Sequence, residues 1–449
     1  MAIVPIHSRV KVHGLVDKIS KRFHFAPLEE GPIAGKLIHR NLVLMALSYL
    51  LNENHLLIGE PGWGKTTGAK VVASALSGLP YDLYDSVEIR GHPQLYDEKV
   101  TGVLDFGRLN REGKMVTLWH GTFGVDVVIV DEVPRLSLDM QDVILQGIDT
   151  GRWKYMRSTY FAGKPPAFLT MNEKDGDREN GLLPALRDRI GIVTEEQYFS
   201  TMVAFDLHEA KKRVEAELCK ADFTQKALEA LDRAHDEYKK ILAGERPIKG
   251  ALTKDEKARI QEEIAGLELD NDGMLFLQAF MAEINYSAQY GSKRAADPRS
   301  PDTHDLNYAG VNVKHSFSPR SAMTAIAYAK ALAWFLQESP TLDHIRFVLP
   351  HVFGHKAHFH DDYVNAHAGD PRVDCVMLHL AKSIVTDVHG RYTASIQPAK
   401  NLISRIQKGE IAIDDPVLDE TKHDHPLMKD LARAYKAGQR HAFYSNGEE

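Results

Sequence analysis

The octapeptide Gly59-Glu60-Pro61-Gly62-Trp63-Gly64-Lys65-Thr66 constrains the fold more than any other feature of this 449-residue chain. It satisfies the pattern G-x-x-x-x-G-K-[ST]. Alone, such a run is a glycine-punctuated turn; its flanks give it meaning. His55-Leu56-Leu57-Ile58 before it is short and apolar, as a buried strand is, and Thr67 to Leu76 after it reads as a helix. In a strand–loop–helix of this kind the glycines let backbone N–H groups converge on phosphate oxygens. The helix behind adds the positive end of its dipole. Lys65 would reach the β/γ-phosphates, Thr66 would hold Mg²⁺, and Gly59 through Thr67 would line the nucleotide.

A second strand with strong β propensity, Val125 to Val130, runs into Asp131-Glu132. Carboxylates at the C-terminal end of a strand stand where open α/β sheets bind ligands. Asp131 would hold the metal directly or through water, and Glu132 would polarise the attacking water as general base. A third strand, Ala167 to Met171, ends at Asn172. Asn172-Glu173-Lys174-Asp175 superficially resembles the guanine reader N-K-x-D, but its order differs, so ATP is the expected nucleotide.

Strands alternating with helices predict a parallel, doubly covered sheet over residues 31–200, preceded by an arm or short leading helix at 1–30. After about Phe199 the pattern becomes helical. Helices are expected at Phe205–Lys220, Phe223–Leu242, Lys254–Leu267, Gly273–Tyr286, Pro319–Gln337 and Thr341–Phe353. This gives a helical domain at 201–356 with an insertion at about 220–310, then a helical C-terminal extension at 357–449. A net charge of -7 argues against a bulk nucleic-acid footprint. Two distant cysteines, Cys219 and Cys375, exclude a disulfide framework and suit a reducing cytoplasm. The first twelve residues hold no long apolar run, so no secretory signal is expected, and Leu42–Leu51 is too short to span a bilayer. His351, His355, His358 and His360, beside Asp361 and Asp362, invite a metal reading; a solvated helix end is the expectation.

Taken in order, these motifs resemble an AAA+ ATPase of the MoxR type, in the wider dynein-related group. Asp131-Glu132-Val133-Pro134-Arg135, with Gln141 and Leu145, resembles the family's D-E-I-N-R…Q…L segment; Leu183 to Ile190 resembles L-P-E-A-x-x-D-R-F; and Ser318-Pro319-Arg320-Ser321 resembles S-P-R-A/S. The resemblance covers roughly 30–200 and 315–356. It implies a P-loop NTPase sheet followed by an all-helical lid. It also implies a sensor-1 role for Asn172, an arginine finger at Arg189 with Arg187 as a competitor, and a sensor-2 role for Arg320. By the same resemblance the chain would form a homo-oligomeric ring, a hexamer. It would remodel a protein client alongside a von Willebrand factor A domain protein. The alternative is a nucleic-acid-directed motor or restriction-type NTPase. A hairpin is implied at Gly151–Phe161 and a second insertion, in a helix, near Glu88–Gly102, both facing the pore or one face of the ring. The departures are Pro134, where the family has Asn, and the long separation of Arg189 from Arg320.

Overall fold

A five-stranded parallel sheet organises the first half of the chain. Its strands, labelled in chain order, are β1 (His55–Ile58), β2 (Ile89–Arg90), β3 (Val128–Asp131), β4 (Ala167–Met171) and β5 (Ile192–Glu195). They lie side by side as β5-β1-β4-β3-β2. The computed structural model describes residues 6–24, 27–33, 35–172, 181–196, 201–287, 307–314, 317–367 and 376–438. Glu173 to Asp175, Cys375 and most of the polar stretch 291–315 lie outside them.

Every residue of β1, β4 and β5 is buried. Side chains alternate across a strand, so full burial means that both faces of the sheet are covered. Helices do the covering. Lys65–Ser77 starts directly after the glycine loop and ends at Gly78, whose φ of 82° is the left-handed stop that glycine makes without strain. Leu138–Thr150 starts on Ser137, whose hydroxyl accepts from the Met140 N–H, and ends at left-handed Gly151. The Arg152–Tyr155/Ser158–Phe161 hairpin follows. Trp153, 2% exposed, plugs it onto that helix at Gly147, where an added Cβ would lie 2.3 Å from the indole. The span Glu88–Gly102 holds the strand Ile89–Arg90 and a short helix, Asp97–Val100, and an antiparallel pair of Gly102–Leu104 with Thr117–Trp119 comes after it.

The contacts divide the chain into two units, Met1–Glu268 with Ala327–Pro340, and Leu269–Ile326 with Thr341–Glu449. The first grouping holds more than residues 31–200. The Ile6–Arg22 helix belongs to it, and so do the helices Ala221–Arg233, His235–Gly244 and Lys254–Ala265. Backbone bonds tie the segment leading into the last of these to the end of the Lys65–Ser77 helix: Ile248 N–H donates to Gly78 O (3.1 Å) and Leu252 N–H to Leu76 O (3.0 Å). Where Phe223–Leu242 reads as one helix, the structure has two, interrupted at extended Ala234.

In the second unit the Asn271–Asn285 helix packs against Leu342–Phe353, Val376–Gln407 and Pro426–Lys436. Its Glu283 is fully buried, ion-paired to Arg391 (2.6 Å), 3.2 Å from His425 and accepting from the Ala309 N–H. Removing one partner of such a buried pair costs about 3–5 kcal/mol. Two expected surface histidines are core residues: His351 and His355 are each 1% exposed, because the apolar face of Leu342–Phe353 that carries His351 turns inward. Among the described residues no group of three or more His, Cys, Asp or Glu could hold a metal ion. Nor is any described helix long and apolar enough to cross a membrane.

Candidate functional site

The C-terminal ends of β1, β3 and β4 bring one set of polar groups together. After Ile58 the chain turns through Gly59, Gly62 and Gly64, with φ of 154°, 86° and 83°. Residues with a side chain rarely adopt such angles. At Gly59 an added Cβ would also lie 2.9 Å from the Glu196 carbonyl. The loop delivers Lys65, 7% exposed, into the first turn of its helix. Its Nζ donates to Gly59 O (2.8 Å), Glu60 O (2.9 Å) and Asn172 Oδ1 (3.0 Å). Burial lowers the Lys65 pKa, while the carboxylates of Asp131, Glu132, Glu60 and Glu196 oppose that shift. An ammonium held by two loop carbonyls and starved of water is suited to an anion arriving at the loop.

Asp131 Oδ1 accepts from two hydroxyls, Thr66 Oγ1 and Thr170 Oγ1, the second at 2.6 Å. Thr170 Oγ1 also accepts from the Glu132 N–H (2.9 Å). Thr170 therefore ties β4 to both acids, and no motif pointed to it. The available signal was one hydroxyl inside the apolar strand Ala167–Met171. Glu132 itself sits at φ 52°, ψ 53°, a left-handed conformation uncommon for a residue with a side chain. Gly91 makes room for it: its N–H donates to Asp131 O (2.7 Å), and an added Cβ would lie 2.1 Å from Glu132 O. The Glu132 carboxylate accepts from Arg135.

Behind the loop stands a pair that sequence reading missed. His24 and Glu196, both about 4% exposed, face each other at 3.5 Å. Gly68 fits the His24 ring against the phosphate-loop helix, since an added Cβ would lie 2.9 Å from it. Their separation in sequence leaves no spacing to read.

Arg189 ends the short Pro184–Arg189 helix, where its Nε pairs with Asp149 Oδ2 at 3.2 Å. Burial lowers the pKa of Arg187. The approach to this helix is fixed by Gln141, which is fully buried. Its amide donates to Leu136 O and Gly181 O and accepts from the Leu183 N–H (2.9 Å). Arg320 lies in the first turn of Pro319–Leu336, in the second unit.

Residues 54–190 match the family model of the AAA domain of the dynein-related subfamily. That span holds the glycine loop, both acids, Thr170, Asn172 and Arg189. Among solved structures, one from Cytophaga hutchinsonii described as a "putative ATPase" is 16% identical, with a TM-score of 0.55 over 85% of this chain and 95% of that one. At this identity the likeness shows the fold alone. No curated protein matches the chain. Residues 54–190 thus form an AAA+ domain.

Proposed function

We propose that the AAA+ domain at residues 54–190 binds ATP with Mg²⁺ and hydrolyses it. The observation that carries this reading is the meeting of Lys65, Thr66, Asp131, Thr170 and Asn172 at three adjacent strand ends. Lys65 and the loop N–H groups would bind the phosphates. Thr66 and Asp131 would hold Mg²⁺, which supplies charge neutralisation at the phosphates. The fit rests on the side-chain-free cradle of Gly59, Gly62 and Gly64 and on the paired oxygens of Thr66 and Asp131. Glu132 would draw a proton from the attacking water, and Asn172 would orient that water.

We further propose a MoxR-type ring of identical subunits, hexameric, in which Arg189 acts on the neighbour's nucleotide and Arg320 reports its state. The ring would remodel a protein client together with a von Willebrand factor A domain protein. The support is the motif order in the sequence and the place of Arg189, at the end of a short helix that Gln141 anchors. Mixing two variants tests the shared site. Arg189→Ala should bind ATP normally but lose hydrolysis, by roughly a thousandfold if it acts as a finger. Added to Glu132→Gln subunits, it should regain turnover, because some interfaces then pair an intact Glu132 with an intact Arg189. Full activity of Arg189→Ala alone would move the finger elsewhere.

A further inference from the structure

The amino-terminal edge of the same sheet carries a second cavity, of about 710 Å³. Its walls include Asn52 ahead of β1, Val125 and Asp126 ahead of β3, and Pro165 ahead of β4. Since the strands are parallel, this is the end opposite the glycine loop. The other wall is the segment from Lys239 to Lys257, the stretch that the family resemblance left as an unexplained insertion.

The charge of this cavity opposes that of the molecule. The chain carries a net charge of -7, yet six cationic and two anionic side chains line the cavity. One of the two acids is already committed: Asp126 accepts both ends of the Arg246 fork, at 2.8 and 3.3 Å. That leaves the lysines. Lys257 lies over the Tyr49 ring, 4.0 Å from its centroid, and its Nζ donates only to the neutral Asn52 amide oxygen (2.6 Å) among the bonds seen. Lys164, Lys249 and Lys254 form no ion pair among the described residues, although all three are exposed at the mouth. A volume of this size suits a ligand of metabolite dimensions.

We propose that this cavity binds a small phosphorylated anion. Ammonium groups line it as point charges, the form in which lysine holds phosphate, while the one planar guanidinium, the fork that would favour a carboxylate, is occupied by Asp126. Burial lowers the Lys257 pKa to about 8, so the amine stays charged at neutral pH, and an anion beside it would raise that pKa again. The site is independent of the ATP reading, because it shares no residue with the glycine loop.

Site-resolved amine labelling tests this on the full-length protein, with tripolyphosphate as probe and citrate as the carboxylate control. Tripolyphosphate should slow labelling of Lys257 roughly tenfold, as a charge-assisted contact would. The exposed Lys211 should be unaffected. The surface variant Lys249→Gln/Lys254→Gln, which disturbs no packed atom, should lose most of that protection. Protection at Lys65 is read separately, so failure of the phosphate loop and failure of this cavity are distinguishable. The proposal is overturned by unchanged Lys257 labelling, by equal protection in the double variant, or by citrate protecting as well as tripolyphosphate.

Discussion

At the residue scale, the site depends on groups that hold the chemistry in place as much as on the motif residues. Thr170 is the clearest case: one hydroxyl accepts from the Glu132 N–H and donates to Asp131. Replacing it by Val keeps the volume and removes both bonds. We expect Thr170→Val to bind ATP within a few-fold of wild type but to hydrolyse it about tenfold or more slowly, consistent with losing one or two net hydrogen bonds. Steady-state turnover beside a binding titration checks this, and equal losses in both would assign Thr170 to binding. Lys65, Thr66, Asp131 and Glu132 were legible because their spacing is local and chemically specific. Thr170, Gly91 and the His24–Glu196 pair were not, because each acts through a neighbour brought close only by folding.

At the scale of elements, legibility follows the same division. β1 and β4 occupy the spans their apolar runs predict, His55–Ile58 and Ala167–Met171. β2 has only two residues, too few for any periodicity, and its place comes from pairing with Val130 and Asp131. The break at Ala234 carries no Gly or Pro signal. Tertiary packing imposes it: the His235 ring meets Tyr160 at 4.7 Å, and the Tyr238 hydroxyl donates to Gly121 O (3.0 Å). The turn after β2 is similarly imposed from outside, by the backbone of Glu132. Gly91→Ala would drive a methyl into that carbonyl. We expect it to destabilise the protein by about 1–3 kcal/mol, the usual cost of overpacking, and to displace Glu132. A lowered unfolding midpoint together with slowed ATP turnover is the predicted result; an unaltered midpoint would mean that the β2 turn moves freely.

At the scale of the whole molecule, the buried imidazoles set an acid limit. Burial lowers the His55 pKa from 6.5 to about 3, while its ring nitrogens meet Ser48 (2.8 Å) and Thr194 (2.7 Å). Burial likewise lowers His120 and His235 to about 4. A base whose folded pKa is depressed binds its proton more readily when unfolded. Stability is therefore intact above pH 6.5 and falls as pH drops from there toward 3. His55 alone should remove about 2 kcal/mol by pH 5. Denaturant unfolding at pH 7 and pH 5 should show the midpoint falling, and a flat profile would contradict the buried neutral ring. None of this reaches the question of turnover, which rests on Glu132. The measurement that tests it most directly is ATP binding and single-turnover hydrolysis by Glu132→Gln, a substitution that keeps shape and removes the base. The account predicts ATP bound as in wild type and hydrolysis slowed roughly a hundredfold or more. Hydrolysis at the wild-type rate would contradict it.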